Sequence, residues 1–474
     1  MYNAGQFYIG GKWVTPDAKR TVAVSNPATE ETIAHVTLAN RTDVDRAVSA
    51  ARAAFAAFSI TPVSERMEIL ERIIAVYARR QEEIADIVSR EMGAPRSIAR
   101  GSHAPQGIAH LRQMVETLKT YPFGTSRAGS RIVREPIGVC GLITAWNWPM
   151  TLIACKVAPA LAAGCTMILK PSEMAPLSAH LFAQILDEAG VPPGVFNLID
   201  GDGAEAGQLL ASHKDVAMVS ITASNTAGVA VAQAAAPTVK RVRQELGGKS
   251  ACIALDDDDI EATAYDTMKR LCRNSGQSCA ALTRLLVPAR YQDDAIRGTA
   301  RAASEIVIGD PLSEGTMMGP VANGAQFARI QRYIDRGCEQ GARIVAGGPG
   351  RPESFTHGHF VRPTVFANVT PDMVIAQEEI FGPVLCIMPY LDDDDAVRIA
   401  NSTVYGLSGA VRSKDAARAV KICQRLRTGM VYLSDAAADL SAPFGGYRQS
   451  GNGREWGAHG LSEYLETKVI LGAT

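Results

Sequence analysis

The chain has 474 residues, 47% of them hydrophobic and 20% charged, with 48 Lys and Arg against 49 Asp and Glu for a formal net charge of −1. That length accommodates two or three domains, and so even a charge balance provides no field for gathering nucleic acid. No run reaches about 18 uninterrupted apolar residues, and Met1 to Trp13 lacks the apolar centre of a signal peptide, so a cytoplasmic protein with no membrane or nucleic-acid partner is expected. Nine cysteines lie singly from Cys140 to Cys423 with no C-x-x-C pair, which argues against a disulfide framework and a structural zinc site.

From Thr42 to Phe58 the apolar positions Val44, Ala47, Val48, Ala51, Phe55 and Phe58 recur at helical spacing behind a Thr/Asp cap. Ser64 opens a second helical run towards Gly93-Ala94-Pro95, so paired surface helices are predicted in the first hundred residues. Short apolar runs follow, each with turn residues and a helical pattern behind it: Ile137 to Thr144, Thr166 to Leu169, Val195 to Ile199 and Ala217 to Thr222. That alternation predicts a parallel, doubly wound sheet. A second set comprises Ala251 to Leu255, Thr283 to Val287, Ala342 to Ala346, Val384 to Pro389 and Gly429 to Leu433, which puts a domain boundary near Gly247. The acidic runs Asp256 to Asp259 and Asp392 to Asp395 precede helical patterns and read as helix caps rather than metal ligands. Ser130 to Glu135 and Tyr464 to Leu471 have strand composition outside both sets, a pattern suited to contacts between subunits.

Several segments carry chemistry. Asn274-Ser275-Gly276-Gln277-Ser278-Cys279 sets one thiol after a Gly-Gln turn with small neighbours, and Glu245-Leu246-Gly247-Gly248-Lys249-Ser250 offers a carboxylate beside a double glycine. A nucleophilic thiol and a separate acid are the parts needed to form a thioester and hydrolyse it. Asn147, in Trp146-Asn147-Trp148-Pro149, ends a predicted strand, where its amide can face an oxyanion or form an ordinary turn. Lys170-Pro171-Ser172-Glu173 ends the next strand and reads either as a ribose contact or as a solvated pair. Gly201 to Gly207 is one residue longer than G-x-G-x-x-G, and Ile221-Thr222-Ala223-Ser224 offers a second strand-to-helix turn for phosphate.

With Glu378-Glu379-Ile380-Phe381-Gly382-Pro383-Val384 and Pro443-Phe444-Gly445-Gly446, these motifs occur in an order that resembles the aldehyde dehydrogenase family over essentially the whole chain. The resemblance implies an α/β fold: a Rossmann-like cofactor domain, an α/β catalytic domain and a small bridging oligomerisation sheet. NAD binding falls to 1–116 and 137–246, catalysis to 247–446, and bridging to 117–136 and 458–474. It also implies Cys279 as nucleophile, Glu245 as the base that activates water, Asn147 as oxyanion donor, and Lys156 with Glu455 as a proton relay. For the cofactor, NAD or NADP, it points to Trp146, Lys170, Glu173, Ser224, Glu379 and Phe381, with Glu173 favouring NAD. The presence of Glu245 is similar to the hydrolytic branch of the family rather than the branch that acylates coenzyme A.

Matching positions place Trp148, Thr151, Leu152, Cys155, Arg273, Ser278, Ala280 and Ala438 along a mainly apolar substrate tunnel, with Arg273 available to a distant carboxylate. An apolar, medium-chain aldehyde or a semialdehyde is the implied substrate, turned over by a homodimer or homotetramer. Three departures stand out: Ala223 where the family usually has glycine, whose Cβ would either crowd the cofactor or require a negative φ where glycine is free; Ser434-Asp435 in place of an Asn-led turn; and Gln377 ahead of the paired glutamates. A thiol hydrolase without nicotinamide and a non-catalytic binding protein are the competing readings.

Overall fold

The computed structural model describes residues 2–127 and 129–473. Its first large sheet has eight strands in the order Gly451–Asn452, Arg241–Glu245, Met218–Thr222, Val139–Ile143, Thr166–Lys170, Phe196–Leu198, Phe7–Ile9 and Lys12–Val14. The five from Arg241–Glu245 to Phe196–Leu198 run parallel, as the alternation predicts. Every residue of Val139–Ile143, Thr166–Lys170 and Met218–Thr222 is buried, so these strands read as continuous apolar runs. Arg241–Glu245 escapes that signal because its sequence is Arg-Val-Arg-Gln-Glu.

In chain order the sheet grows outward from Val139–Ile143 to Phe196–Leu198, then returns to add Met218–Thr222 and Arg241–Glu245 on the other side. Strand order therefore reverses between Val139–Ile143 and Met218–Thr222. A crevice beyond the carboxyl ends of two such strands is where open α/β sheets take ligands. Asn147 and Ser224 follow those two ends.

The second large sheet orders Arg343–Ala346, Thr364–Ala367, Val384–Tyr390, Leu282–Pro288, Ser250–Ala254, Ser408–Arg412 and Met430–Leu433. All neighbours are parallel except the first pair, so the strand predicted at Ala342 to Ala346 runs antiparallel to its neighbour. No helix separates it from Thr364–Ala367 to carry a parallel crossover. Ser130–Pro136 and Leu465–Leu471 pair antiparallel in a separate three-stranded sheet completed by Gly124–Arg127.

The helix Arg41–Phe58 is capped by Asn40 in a capping box with Asp43, two residues ahead of the Thr42 read as the cap from the sequence. The second helical run divides into Val63–Arg79 and Gln81–Met92, which ends on left-handed Gly93. These helices are not merely superficial: Ile69, Leu70, Ile73, Tyr77, Ile84 and Val88 are fully buried. Asp259 and Asp392 cap the helices Ile260–Cys272 and Asp393–Ala400. Among the described residues no helix is long and apolar enough to cross a membrane, and no cluster of His, Cys, Asp or Glu is placed to hold a metal.

Candidate active site

Cys279 lies between the helix Ile260–Cys272 and the strand Leu282–Pro288. Asn274 (φ 52°), Ser275 (φ 55°) and Gly276 (φ 73°) ahead of it are all left-handed. That backbone costs about 1 kcal/mol or more at each non-glycine residue, so it needs support from its surroundings. The Asn274 amide donates to Asn147 O (2.9 Å) and Gln277 O (3.2 Å), and the Ser275 hydroxyl donates to Gly319 O (2.8 Å). Gln277 donates to Asn274 O (3.1 Å) and accepts from Ala322 N (2.9 Å). Gly276 is obligatory twice over, since a Cβ there would also stand 2.2 Å from the carbonyl carbon of Gly382. The thiol motif and the Phe381-Gly382-Pro383 motif are thus packed against each other.

The thiol is half-buried. Burial pushes it up to about 12, Glu379 and Glu245 push in the same direction, and the Ala280 N–H opposes them. All these influences but one favour the neutral thiol over the thiolate at Cys279.

Asn147 precedes the helix Pro149–Ala163, which starts with proline in its first turn and stops at left-handed Gly164. Its buried amide donates to Gln277 O at 3.1 Å, beside the thiol turn. Trp148 donates to the Ser278 hydroxyl at 2.7 Å and stacks on His103 with ring centres 4.1 Å apart. Two cavities meet here, one of 480 Å³ and one of 620 Å³, and Asn147, Thr222 and Cys279 line both.

All eight tunnel positions read from the sequence line the smaller cavity, joined by Gln106, Tyr432, Phe444 and Trp456. Phe444 and Trp456 stack at 4.5 Å. Arg273 donates to the Ser102 hydroxyl at 2.8 Å and enters no ion pair among the described residues. Arg270 and Arg412, also in the lining, are both tied to Asp435.

Glu245 ends its strand buried. The strand Gly451–Asn452 pairs antiparallel beside it, with Gly451 opposite Glu245, and Phe444 bridges Glu455. This return of the chain brings Glu455 to the site. Its Oε1 accepts from Lys156 Nζ (2.6 Å) and Arg243 Nη1 (2.8 Å), and its Oε2 from Cys155 Sγ (3.2 Å). Arg243 Nη2 reaches Glu245 Oε1 at 3.5 Å, and Glu245 Oε2 has no hydrogen-bond partner among the described residues. Gly445, at φ 151°, leaves room for Glu245, because a Cβ would stand 2.7 Å from Oε1.

Burial lifts Glu245 to about 8, with Glu455 adding to the lift and Arg243, Lys156 and Arg454 opposing it. Burial would also lift Glu455, yet Arg243 and Lys156 outweigh it and hold Glu455 at about 2. The two carboxylates thus have proton affinities driven apart, an arrangement able to serve acid and base chemistry. Arg243 is absent from the sequence reading; its signal was the period-two spacing that puts it on the same face of the strand as Glu245.

The 620 Å³ cavity occupies the crevice between the two reversing strands, and Trp146, Lys170, Glu173, Ser224, Glu379 and Phe381 all line it. Lys170 Nζ donates to Pro171 O at 2.9 Å and lies 3.9 Å from Glu173. Glu379 accepts from Gly248 N at 2.9 Å, and Trp146 meets the Phe381 ring edge-on at 5.4 Å. Ser224 caps the helix Asn225–Ala235. Ala223 is not left-handed, so its Cβ imposes no backbone strain, and its N–H donates to Glu245 O at 3.1 Å. The buried Thr222 hydroxyl has no partner. Two carboxylates, a helix N-terminus and an unpartnered hydroxyl suit a ligand that carries sugar hydroxyls and a phosphate.

A profile of the aldehyde dehydrogenase family matches residues 13–470. The chain is 50% identical to 3-succinoylsemialdehyde-pyridine dehydrogenase of a Pseudomonas species, covering 100% of this chain and 99% of that one. Its structure superposes with a TM-score of 0.98 on aldehyde dehydrogenase C from Pseudomonas syringae, a variant complexed with NAD+ and octanal, at 52% identity over 99% of this chain and 97% of that one. A Mycobacterium tuberculosis aldehyde dehydrogenase complexed with NAD+ gives a TM-score of 0.96 at 39% identity, covering 99% and 98%.

Proposed function

The chain belongs to the aldehyde dehydrogenase family and is an oxidoreductase of aldehydes; on that premise we propose that Cys279 is the nucleophile, Glu245 the base and Asn147 the oxyanion donor of an NAD-dependent oxidation to the carboxylic acid. The observation that carries this reading is the wall of Asn147, Thr222 and Cys279 shared by two cavities. An aldehyde in the smaller cavity and a hydride acceptor in the larger meet at that sulfur.

Lys170 and Glu173 would hold the adenosine ribose, Ser224 the pyrophosphate, Glu379 the nicotinamide ribose and Phe381 the ring, with Trp146 against Phe381. NAD supplies the hydride acceptor when bound. Cys279 gives up its proton to solvent through the substrate cavity that it lines, and the sulfur adds to the aldehyde carbon. The Asn147 amide and the Cys279 N–H hold the resulting oxyanion. Loss of hydride leaves a thioester on Cys279, and Glu245 takes a proton from water to release the acid. Lys156 and Glu455, for which the resemblance implies a proton relay, are ion-paired beside that base. NADH absorbance across an aldehyde panel, run for the parent and Cys279→Ala, tests the scheme; a parent that turns over none of the aldehydes sinks it.

The largely apolar lining supports a medium-chain aldehyde or a semialdehyde, in keeping with the octanal and 3-succinoylsemialdehyde-pyridine of the relatives. Arg273 is free to take a distal carboxylate, and an Arg273→Ala variant with unchanged kcat/KM on acidic and neutral aldehydes would remove that role. Glu173 favours NAD over NADP by repelling a 2′-phosphate, which initial rates with the two cofactors decide.

We assign 1–116 and 137–246 to NAD binding, 247–446 to catalysis, and 117–136 with 458–474 to assembly into a homodimer or homotetramer. Exposed Val469, Ile470 and Leu471 on the outer strand of the three-stranded sheet support the assembly role, and a monomer in light scattering would refute it. Nine free cysteines suit the reducing cytoplasm.

A further inference from the structure

The Glu245 and Glu455 carboxylates are joined by a residue to which none of the steps above gives a part. Arg243 is buried, donates to Glu455 Oε1 at 2.8 Å and to the Ser220 hydroxyl at 3.1 Å, and reaches Glu245 Oε1 at 3.5 Å. We propose that Arg243 is a positioning residue that fixes Glu455 as a permanent anion, so that the proton taken up in hydrolysis stays on Glu245 and leaves through its free oxygen instead of passing to Glu455. The inference rests on Glu245 being the hydrolytic base.

The charge count carries the argument. Two cations, Arg243 and Lys156, face two carboxylates, and Glu455 holds both cations at 2.6 and 2.8 Å while its other oxygen accepts from Cys155 Sγ. Moving a proton from Glu245 to Glu455 would break up those two close charge-assisted contacts and leave one ion pair at 3.5 Å in their place. Attraction falls with distance, so the trade is unfavourable in this buried cluster. Glu245 Oε2, by contrast, has no partner, and Glu245 lines the substrate cavity, which gives its proton an exit.

Beyond Cys155 and Lys156, the other groups facing the pair make no hydrogen bond or ion pair to either carboxylate among the described residues, although Arg454 adds its charge in favour of the Glu245 anion. Cys155 and Lys156 come from the helix Pro149–Ala163, His110 from Ala104–Thr120, and Arg454, Tyr464 and Cys279 from connecting segments. Burial drives His110 down to about 4, keeping it neutral above that pH. Arg454 donates to Gly446 O and Gly453 O.

The test is the acid limb of kcat against pH, read with saturating aldehyde and NAD in the full-length enzyme. Arg243→Gln should move that limb up by about 1 pH unit or more, because a cation close to a carboxylate lowers its pKa by about 1–3 units. Arg243→Lys should bring the limb most of the way back. Glu455→Gln should move it down, since a negative neighbour is gone and both cations turn to Glu245, with turnover persisting above the limb.

An Arg243→Gln limb within about 0.3 unit of the parent, a Lys variant no closer than the Gln variant, or a Glu455→Gln enzyme stalled at every pH would overturn the proposal. The Glu455→Gln arm decides the matter even if Arg243→Gln fails to fold. A parent with no acid limb at all would fail the Glu245 assignment itself, a result distinct from a parent limb that Arg243→Gln leaves in place.

Discussion

Replacing Glu245 by Gln keeps the volume of the side chain and removes the base, so it isolates the hydrolytic half of the reaction. Burial lifts this carboxyl to about 8. The shift is upward, so the base form is present above that pH and is lost as pH falls through it. About one-tenth of the sites would then carry the base at pH 7 and about nine-tenths at pH 9, which predicts a rise in kcat of about tenfold between them. Loss of a general base slows its step by about 10²–10⁴. Glu245→Gln should therefore keep a single-turnover burst of NADH while the steady phase falls by that factor. Stopped-flow absorbance between pH 6 and 10 measures both phases. A variant whose steady phase stays within about tenfold of the parent, or a parent profile flat from pH 6 to 9, would refute the reasoning.

Asn147→Ala removes an oxyanion donor from a buried position, and kcat should fall by about 10²–10³ with little change in KM; an unchanged kcat would clear Asn147 of the role. Gly276→Ala forces a Cβ to 2.2 Å from Gly382 at φ 73°, so about 1 kcal/mol of backbone strain plus about 1–3 kcal/mol of overpacking should lower stability. A melting temperature equal to the parent's in differential scanning fluorimetry would contradict that. Because the Cys279 thiol is pushed up to about 12, alkylation of the cofactor-free enzyme by iodoacetamide should climb about tenfold per pH unit from 7 to 10. A plateau below about pH 9 would show that the thiolate forms more easily than burial and two carboxylates allow.

The parallel strands were legible because burial on both faces demands unbroken apolar runs, and the motifs of Cys279, Glu245 and Asn147, which the fold brings to one cavity, were legible because each is short and distinctive. All six cofactor positions and all eight tunnel positions reach the cavities expected of them. The antiparallel course of Arg343–Ala346 was not legible, since composition specifies a strand but not its direction. The backbone at Ala223 lies outside the left-handed region, so the negative φ that its Cβ requires is met.

What the sequence determined by itself was local: which segments are strands, where turns need glycine, and which residue types are reactive. What only the tertiary structure decided was the electrostatic state of those residues. Glu245 and Glu455 are the same chemical group 210 positions apart, yet one is lifted to about 8 and the other held at about 2. The difference arises because the strand Gly451–Asn452 returns to Arg241–Glu245 and sets Glu455, not Glu245, within 3 Å of both Lys156 and Arg243. Proton affinity depends on burial and on charges a few ångströms away, and those neighbours are brought together by folding rather than by adjacency in the chain.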